Sequence, residues 1–167
     1  FSDGEFHNIG LPGKPGDDGR FAGIRKAQAD PFNGLGEFSD DRSPEANIKL
    51  RYLVVKLNHL GELKTPTLRN VALTAPYGHC GAYPDLKSVI RHHLQPASAV
   101  SNFNPSQTRM PHTNTVTGHD VAVMANQDEV RNLAKTSEIA SIPLSDKEVD
   151  QIIEFLHCLT DPRSLNM

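Results

Sequence analysis

Glycine and proline interrupt the first 45 residues so often that we predict no long helix or strand there. Large apolar side chains are nevertheless frequent in the same segment, more so than in a solvated linker. They are Phe1, Phe6, Ile9, Leu11, Phe21, Ile24, Phe32, Leu35 and Phe38. We therefore predict an ordered loop that packs over a core or a cofactor.

The chain as a whole is poor in core material, although its 167 residues fit one domain spanning 1–167. Apolar residues make up 37% of the chain, aromatic residues only 6%, and tryptophan is absent. We therefore expect something other than side chains to complete the core. The net charge of −3 argues against nucleic acid as a partner, and the lack of an 18-residue apolar run argues against a membrane span.

A helix with two adjacent histidines is predicted after Asp85, whose carboxylate can cap its first turn. One stripe of this helix consists of Leu86, Val89, Ile90 and His93. Because these positions recur at helical spacing, His93 is predicted to lie on the buried face. His92 lies well off the stripe and is predicted to be the solvent or flank histidine.

The clearest predicted helix begins at a capping box formed by Ser145 and Glu148. Its apolar stripe consists of Val149, Ile152, Ile153, Leu156 and Leu159. Asp161 and Pro162 are expected to end it. The stripe predicts that this helix packs on the core.

Elsewhere the pattern is less regular. A further helix is predicted over 128–134, and a short helical turn between Pro66 and Pro76. Residues 47–62 have neither a clean helical nor a clean strand period. The predicted fold class is therefore mainly α with long ordered loops.

The histidines allow more than one kind of chemistry. A histidine on an apolar helix face is most often hydrogen-bonded within the core, yet imidazole is also a common ligand of transition metals. A zinc or hydrolytic site is a further possibility, although no ligand spacing such as H-E-x-x-H occurs. Its ligands would be His79, Cys80, His92 and His93. Cys80 and Cys158 can form a disulfide only if the fold brings them together.

Several segments resemble, in the same order, the C-terminal domain of the dihaem cytochrome c peroxidase and MauG family. They are FSDGEFHNIG (1–10), DGR (18–20), KTPTLRNVALTAPYGH (64–79), LKSVIRHH (86–93) and LTDP (159–162). The resemblance runs through almost the whole chain. It implies a cytochrome c-like helical domain that holds haem c.

The family's haem-attachment motif, C-x-x-C-H, also supplies the proximal ligand and lies a few residues before the position of Phe1. This motif is absent from the sequence. Three explanations stay open: the haem-bearing peptide belongs to a separate segment, the chain is a fragment cut just after the motif, or haem is absent and the domain is vestigial.

The resemblance places the second axial ligand of the haem iron at His93, where relatives carry methionine or tyrosine. A thioether ligand raises the haem potential relative to a second imidazole. A bis-histidine haem is therefore expected to have a lower potential than the haem of a standard peroxidase.

The resemblance also implies further binding residues. The backbone carbonyls of Thr74 and Pro76 would hold a calcium ion, a hard cation that oxygen ligands suit. Arg69 would meet a haem propionate or a buried carboxylate. His79 would either orient the haem surroundings or fix its own loop. His7 would be a packing or propionate-side residue.

The function implied by the resemblance is an oxidoreductase in which this domain relays electrons to a second haem. Hydrogen peroxide would be reduced at that haem, in an N-terminal domain or a companion chain, so no catalytic residue is assigned here. A small redox protein would be the electron donor. The compartment would be the periplasm, because the family's c-type haem is assembled outside the cytoplasm. The alternative is a non-catalytic electron-transfer or haem-binding subunit, which bis-histidine ligation favours.

Overall fold

Short helices joined by long ordered loops build this chain. The computed structural model describes residues 1–13, 18–108, 124 and 126–166. Its α-helices are α1 Arg20–Ala29, α2 Ile48–Arg51, α3 Leu86–Leu94, α4 Pro96–Ser101, α5 Gln127–Thr136 and α6 Asp146–His157. The strands are β1 Phe6–His7 and β2 Leu63–Lys64, and one helical turn lies at Val71–Leu73, between the two prolines as predicted. The mainly helical prediction is confirmed, and the architecture is compatible with a cytochrome c-like domain.

Helix α1 lies inside the segment that was predicted to hold no long helix, so that prediction is wrong for these ten residues. The breakers bracket the helix instead of interrupting it. Gly19 precedes it with a left-handed φ of 59°, and Asp30 ends it in an extended conformation just before Pro31. Gly23 is the one glycine within it, at a cost of about 1 kcal/mol relative to alanine. Ile24 is the residue that α1 buries.

The N-terminal segment pairs with the chain that follows residue 62. Strands β1 and β2 are antiparallel, with Phe6 opposite Lys64. The pairing continues beyond the strands, because the Thr65 amide donates to the Glu5 carbonyl at 2.9 Å and the Leu68 amide to the Phe1 carbonyl at 3.1 Å. These bonds hold residues 1–7 along one edge of the core.

The main core lies between α3, α6 and the loop at 77–83. Its buried members are Tyr77, Ala82, Tyr83, Leu86, Ile90, Leu94, Val149 and Leu156. At the surface, Arg91 pairs with Asp146, and Lys87 Nζ lies 3.1 Å from Asp150 Oδ1. Packing and charge together therefore fix the position of α3, the helix that carries both adjacent histidines.

Both main helices begin with the caps that the sequence predicts. Asp85 Oδ1 accepts a hydrogen bond from the Ser88 amide at 2.8 Å. Ser145 Oγ accepts from the Glu148 amide at 3.3 Å, and the Ser145 amide donates to Glu148 Oε2 at 2.8 Å. Helix α6 ends at His157, shortly before the Asp-Pro pair that was expected to stop it.

Replacing Ser145 with alanine is expected to lower the free energy of unfolding by about 1 kcal/mol, because an amide at the start of α6 loses its acceptor. Urea unfolding measures the change. Ser141→Ala is the matched control, since Ser141 is exposed in the loop before α6 and caps no helix. Equal losses of stability in the two variants would contradict the assignment of the capping box.

The predicted covering loop packs only in its first part. Ile9 and Leu11 are half-buried, whereas Phe32 and Phe38 are 76% and 61% exposed. These two rings stack on each other with a centroid distance of 4.9 Å. Phe1 is also 67% exposed. The apolar residues after α1 therefore do not cover the core.

The two cysteines form no disulfide with each other. Cys158 is exposed and Cys80 is half-buried. Within the described residues, no helix has both the length and the apolar character needed to cross a membrane.

Candidate functional site

A cavity of about 720 Å³ lies between α3, α6 and the N-terminal segment. Its apolar lining consists of Ile9, Leu11, Leu63, Leu68, Val71, Tyr77, Leu86, Val89, Ile90, Leu94, Ile139, Ile152 and Leu156. Protein interiors contain few voids larger than a water molecule, so a space of this size is suited to an occupant. Cofactor and small-molecule sites typically measure roughly 300–1,000 Å³. A cavity of this size agrees with a sequence that is poor in core material.

His93 lines the cavity from the last turn of α3. Its Nδ1 lies 2.8 Å from the Val89 carbonyl oxygen, which can only accept, so Nδ1 carries the proton. The neutral ring then has its lone pair on Nε2. In the described part of the chain, Nε2 has no hydrogen-bond partner. His93 can therefore offer Nε2 to a metal centre in the cavity.

The burial of the two adjacent histidines is the reverse of the prediction. The ring of His92 is fully buried, with 0% of the residue exposed, whereas His93 is exposed. The predicted stripe does form one surface, because Leu86, Val89, Ile90 and His93 all line the cavity. The prediction failed because α3 is covered on its other side too, by the N-terminal segment and Tyr83.

His92 uses both ring nitrogens in hydrogen bonds. Nε2 donates to the Ile9 carbonyl at 2.7 Å, and Nδ1 accepts from the Tyr83 hydroxyl at 2.7 Å. Burial lowers the pKa of His92 to about 4 and raises the pKa of Tyr83. His92 is therefore neutral at ordinary pH. The sequence analysis missed Tyr83, because a single tyrosine in a loop carries no periodic signal.

Polar side chains form a rim around part of the cavity. His7 Nε2 lies 2.8 Å from Asp3 Oδ2, and His7 Nδ1 lies 3.3 Å from Glu138 Oε2. Together with Lys64 these residues line the cavity, and they are half-exposed or exposed. Hydrogen bonds to Asp3 and then to Glu138 raise the pKa of His7. The sequence analysis missed both carboxylates, which lie 135 positions apart along the chain.

Neutralising the rim carboxylates is expected to lower the pKa of His7, with a larger effect for Asp3→Asn than for Glu138→Gln. The bonds that His7 forms as a cation contribute stability below its ordinary pKa, and this contribution is lost as the pH rises through the folded-state value. Titration of the His7 ring by NMR measures the change. Glu5→Gln is the control, since Glu5 is a neighbouring carboxylate without a bond to His7. If the pKa of His7 is unchanged in the variant that carries both Asp3→Asn and Glu138→Gln, the two carboxylates do not interact with His7 as described.

The other predicted site residues lie outside this cavity lining. Arg69 is exposed, beside a separate depression of about 480 Å³, and has no ion-pair partner among the described residues. His79 is half-buried and lies near Gly13. Thr74 and Pro76 are exposed in the loop before Tyr77. The fold thus brings His93 and His7 to one cavity and leaves Arg69 and His79 outside it.

The zinc or hydrolytic alternative finds no support in the fold. No group of three or more histidine, cysteine, aspartate or glutamate side chains is placed to hold a metal ion, as far as the described residues go. His92 is not available as a ligand, because both of its ring nitrogens are already hydrogen-bonded.

The mainly helical architecture surrounds a large apolar cavity that His93 and His7 both line, and cavities of this kind are typical sites for small molecules and cofactors. Comparison with protein-family models finds no match. Over 165 residues, 98% of this chain, the sequence is 31% identical to the methylamine utilization protein MauG of Paracoccus denitrificans (strain Pd 1222). The chain spans about a third of the length of that protein, 35%. The similarity supports a distant relationship to the cytochrome c peroxidase and MauG-like proteins.

Proposed function

We propose that this chain is a haem-binding domain of an oxidoreductase and that it transfers electrons through the haem that it holds. The observation that carries the proposal is His93, which lines a large apolar cavity and whose Nε2 has no hydrogen-bond partner among the described residues. The similarity to MauG supports haem c as the occupant. Because the chain spans only 35% of that relative, the activity of the whole protein is part of the proposal.

The cavity residues fit a haem. The volume and the apolar walls suit a large flat macrocycle, and the imidazole in the wall suits its iron. Lys64 is a cation at the rim that could meet an ionised propionate, whereas both ring nitrogens of His7 are already bonded to Asp3 and Glu138. Arg69, which the resemblance assigned to a propionate, lies outside the lining, so Lys64 is the better candidate for that contact.

When bound, the haem supplies one-electron redox chemistry. His93 would hold the iron through Nε2, because its bond to the Val89 carbonyl keeps the proton on Nδ1 and leaves the lone pair on Nε2. The apolar walls would limit the contact of such a group with water. An imidazole ligand raises the reduction potential of a haem less than the thioether ligand of a peroxidase does. We therefore propose a low-potential electron-transfer site.

The proposed role is that of a relay within a larger assembly. Peroxide reduction belongs to a second haem, in an N-terminal domain or a companion chain, and a small redox protein delivers the electrons. We place the assembly in the periplasm. We also retain the calcium site at the backbone carbonyls of Thr74 and Pro76, which are exposed residues.

The second candidate function is a non-catalytic electron-transfer or haem-binding subunit. The observation that favours it is the imidazole of His93 at the position where relatives carry methionine or tyrosine. A bis-histidine haem is six-coordinate and has no open position for a substrate. Peroxide turnover by the assembly that contains this chain and the second haem distinguishes the relay from a non-catalytic subunit.

The proposal is tested by the absorption spectrum of the purified protein, oxidised and dithionite-reduced, together with its intact mass. A Soret band with sharp α and β bands in the reduced state is expected, as for a six-coordinate low-spin haem. A mass above that of the 167-residue chain would reveal a haem-bearing attachment peptide. The proposal would be overturned if the protein showed no Soret band and its mass equalled that of the 167-residue chain without an attached group.

A further inference from the structure

A buried hydrogen-bonded pair lies directly behind the cavity wall. His92 is fully buried and Tyr83 is 3% exposed, and the Tyr83 hydroxyl donates to His92 Nδ1 at 2.7 Å. The other ring nitrogen of His92 donates to the Ile9 carbonyl at 2.7 Å. Neither ring lines the cavity, so neither contacts its occupant. The pair nevertheless uses every polar atom of both side chains.

The pair joins three segments that form the cavity. Ile9 belongs to the N-terminal wall, and Tyr83 belongs to the loop whose other end, Tyr77, is also a wall residue. The backbones of Tyr77 and Tyr83 are themselves paired, at 2.7 and 3.0 Å. His92 lies on α3, next to His93. One imidazole therefore sets the spacing between α3, the loop at 77–83 and the N-terminal segment.

The ring of His92 also limits where the His93 ring can lie. The two ring centroids are 6.1 Å apart and the ring planes meet at 83°, so one ring packs edge-on against the other. On its own helix, the His93 ring is further held by the bond to Val89. Because His92 is locked by two hydrogen bonds, it is a rigid support for the exposed ring of His93.

We propose that His92 and Tyr83 are positioning residues that hold the His93 imidazole at the geometry required to bind the iron. The inference rests on the proposed function, since it needs haem in the cavity and His93 as its ligand. A group hydrogen-bonded directly to a metal ligand typically changes metal affinity roughly 10-fold to 100-fold when it is removed. Tyr83 acts on His93 one contact further away, through the ring of His92, so its effect is expected to be smaller. Loss of the Tyr83 hydroxyl is therefore expected to weaken the bond between His93 and the iron, although Tyr83 contacts neither of them.

The test is Tyr83→Phe in the haem-loaded protein. Carbon monoxide competes with His93 for reduced iron, so the concentration that half-converts the spectrum reports the strength of the His93 bond. We expect this concentration to fall in Tyr83→Phe by less than roughly 10-fold, because Tyr83 acts on His93 only through His92. The control is Gln107→Met, which removes a bond to the Ala82 carbonyl at 3.1 Å and loosens the same loop without contact to His92. The control should leave the concentration unchanged.

A second pair of variants separates positioning from mere stability. In His92→Gln the carboxamide can donate to Ile9 and accept from Tyr83, so it should retain most of the wild-type resistance to carbon monoxide. The leucine of His92→Leu can form neither hydrogen bond, so this variant should lose the wild-type resistance to carbon monoxide. The inference would be overturned if the half-converting carbon monoxide concentration stayed at its wild-type value in both Tyr83→Phe and His92→Leu. It would also be overturned if Tyr83→Phe and Gln107→Met changed that concentration equally. Either result would leave the proposed function intact. A wild-type protein without a low-spin haem would instead overturn the proposed function, and the inference with it.

Discussion

Replacing His92 with leucine is expected to lower the free energy of unfolding of the haem-free protein by about 3 kcal/mol. Leucine fills a similar volume but leaves the Tyr83 hydroxyl and the Ile9 carbonyl without partners. Each buried polar group left unpaired costs about 1–3 kcal/mol. Urea unfolding at neutral pH measures the change.

The control for this prediction is the neighbouring histidine. His93→Leu changes an exposed ring, so the expected effect on haem-free stability is within about 0.5 kcal/mol. The two substitutions are chemically identical and one residue apart. A similar loss of stability in both variants would contradict the assignment of His92 as the buried member of the pair.

At acid pH, the difference in the free energy of unfolding between the wild type and His92→Leu is expected to become smaller. The folded-state pKa of His92 is about 4, below its ordinary value of 6.5. As the pH falls from 6.5 to 4, His92 binds a proton in the unfolded chain but stays neutral in the folded chain. The wild type therefore loses stability over this pH range. A pKa lowered this far corresponds to about 3 kcal/mol in total. The leucine variant has no such group and escapes this loss.

Replacing His93 with methionine is expected to raise the reduction potential of the bound haem and to change its absorption spectrum. A thioether in place of imidazole stabilises the reduced iron, and axial ligands together span a range of roughly 0.8 V. Spectroelectrochemical titration of the haem-loaded variant measures the midpoint potential. The low-potential proposal requires the wild-type value to lie below that of the variant.

The control for the ligand variant is His157→Met. His157 is an exposed histidine at the end of α6 and does not line the cavity. This substitution removes one imidazole and adds one thioether, as His93→Met does, and it should leave the spectrum and the potential at their wild-type values. If His93→Met also leaves both unchanged, His93 is not the ligand of the iron.

Local features were predictable because they depend on neighbours along the chain. The Asp85 cap, the capping box at Ser145 and the stripe that ends at His93 all follow from spacing within one or two helical turns. One failure was also local in origin. Helix α1 was missed because the density of breakers was judged over 45 residues, whereas a ten-residue helix needs only the space between two of them.

The rim and the buried pair could not be predicted, because they join residues that are distant in sequence. His7 meets Glu138, and His92 meets the carbonyl of Ile9, only after the N-terminal segment has folded along the core. A single sequence records no such pairing. Periodicity could state that His93 and His92 lie on different faces of α3, but not what covers each face.

By itself, the sequence determined the helical class, the starts of α3 and α6 and the stripe of α3 that lines the cavity, because local spacing and capping chemistry set these features. Only the tertiary structure decided that His92 is the buried ring, that Tyr83 and Ile9 hold it, and that Asp3 and Glu138 flank His7. Burial and pKa depend on every segment that packs around a group. That environment exists only once distant parts of the chain have come together.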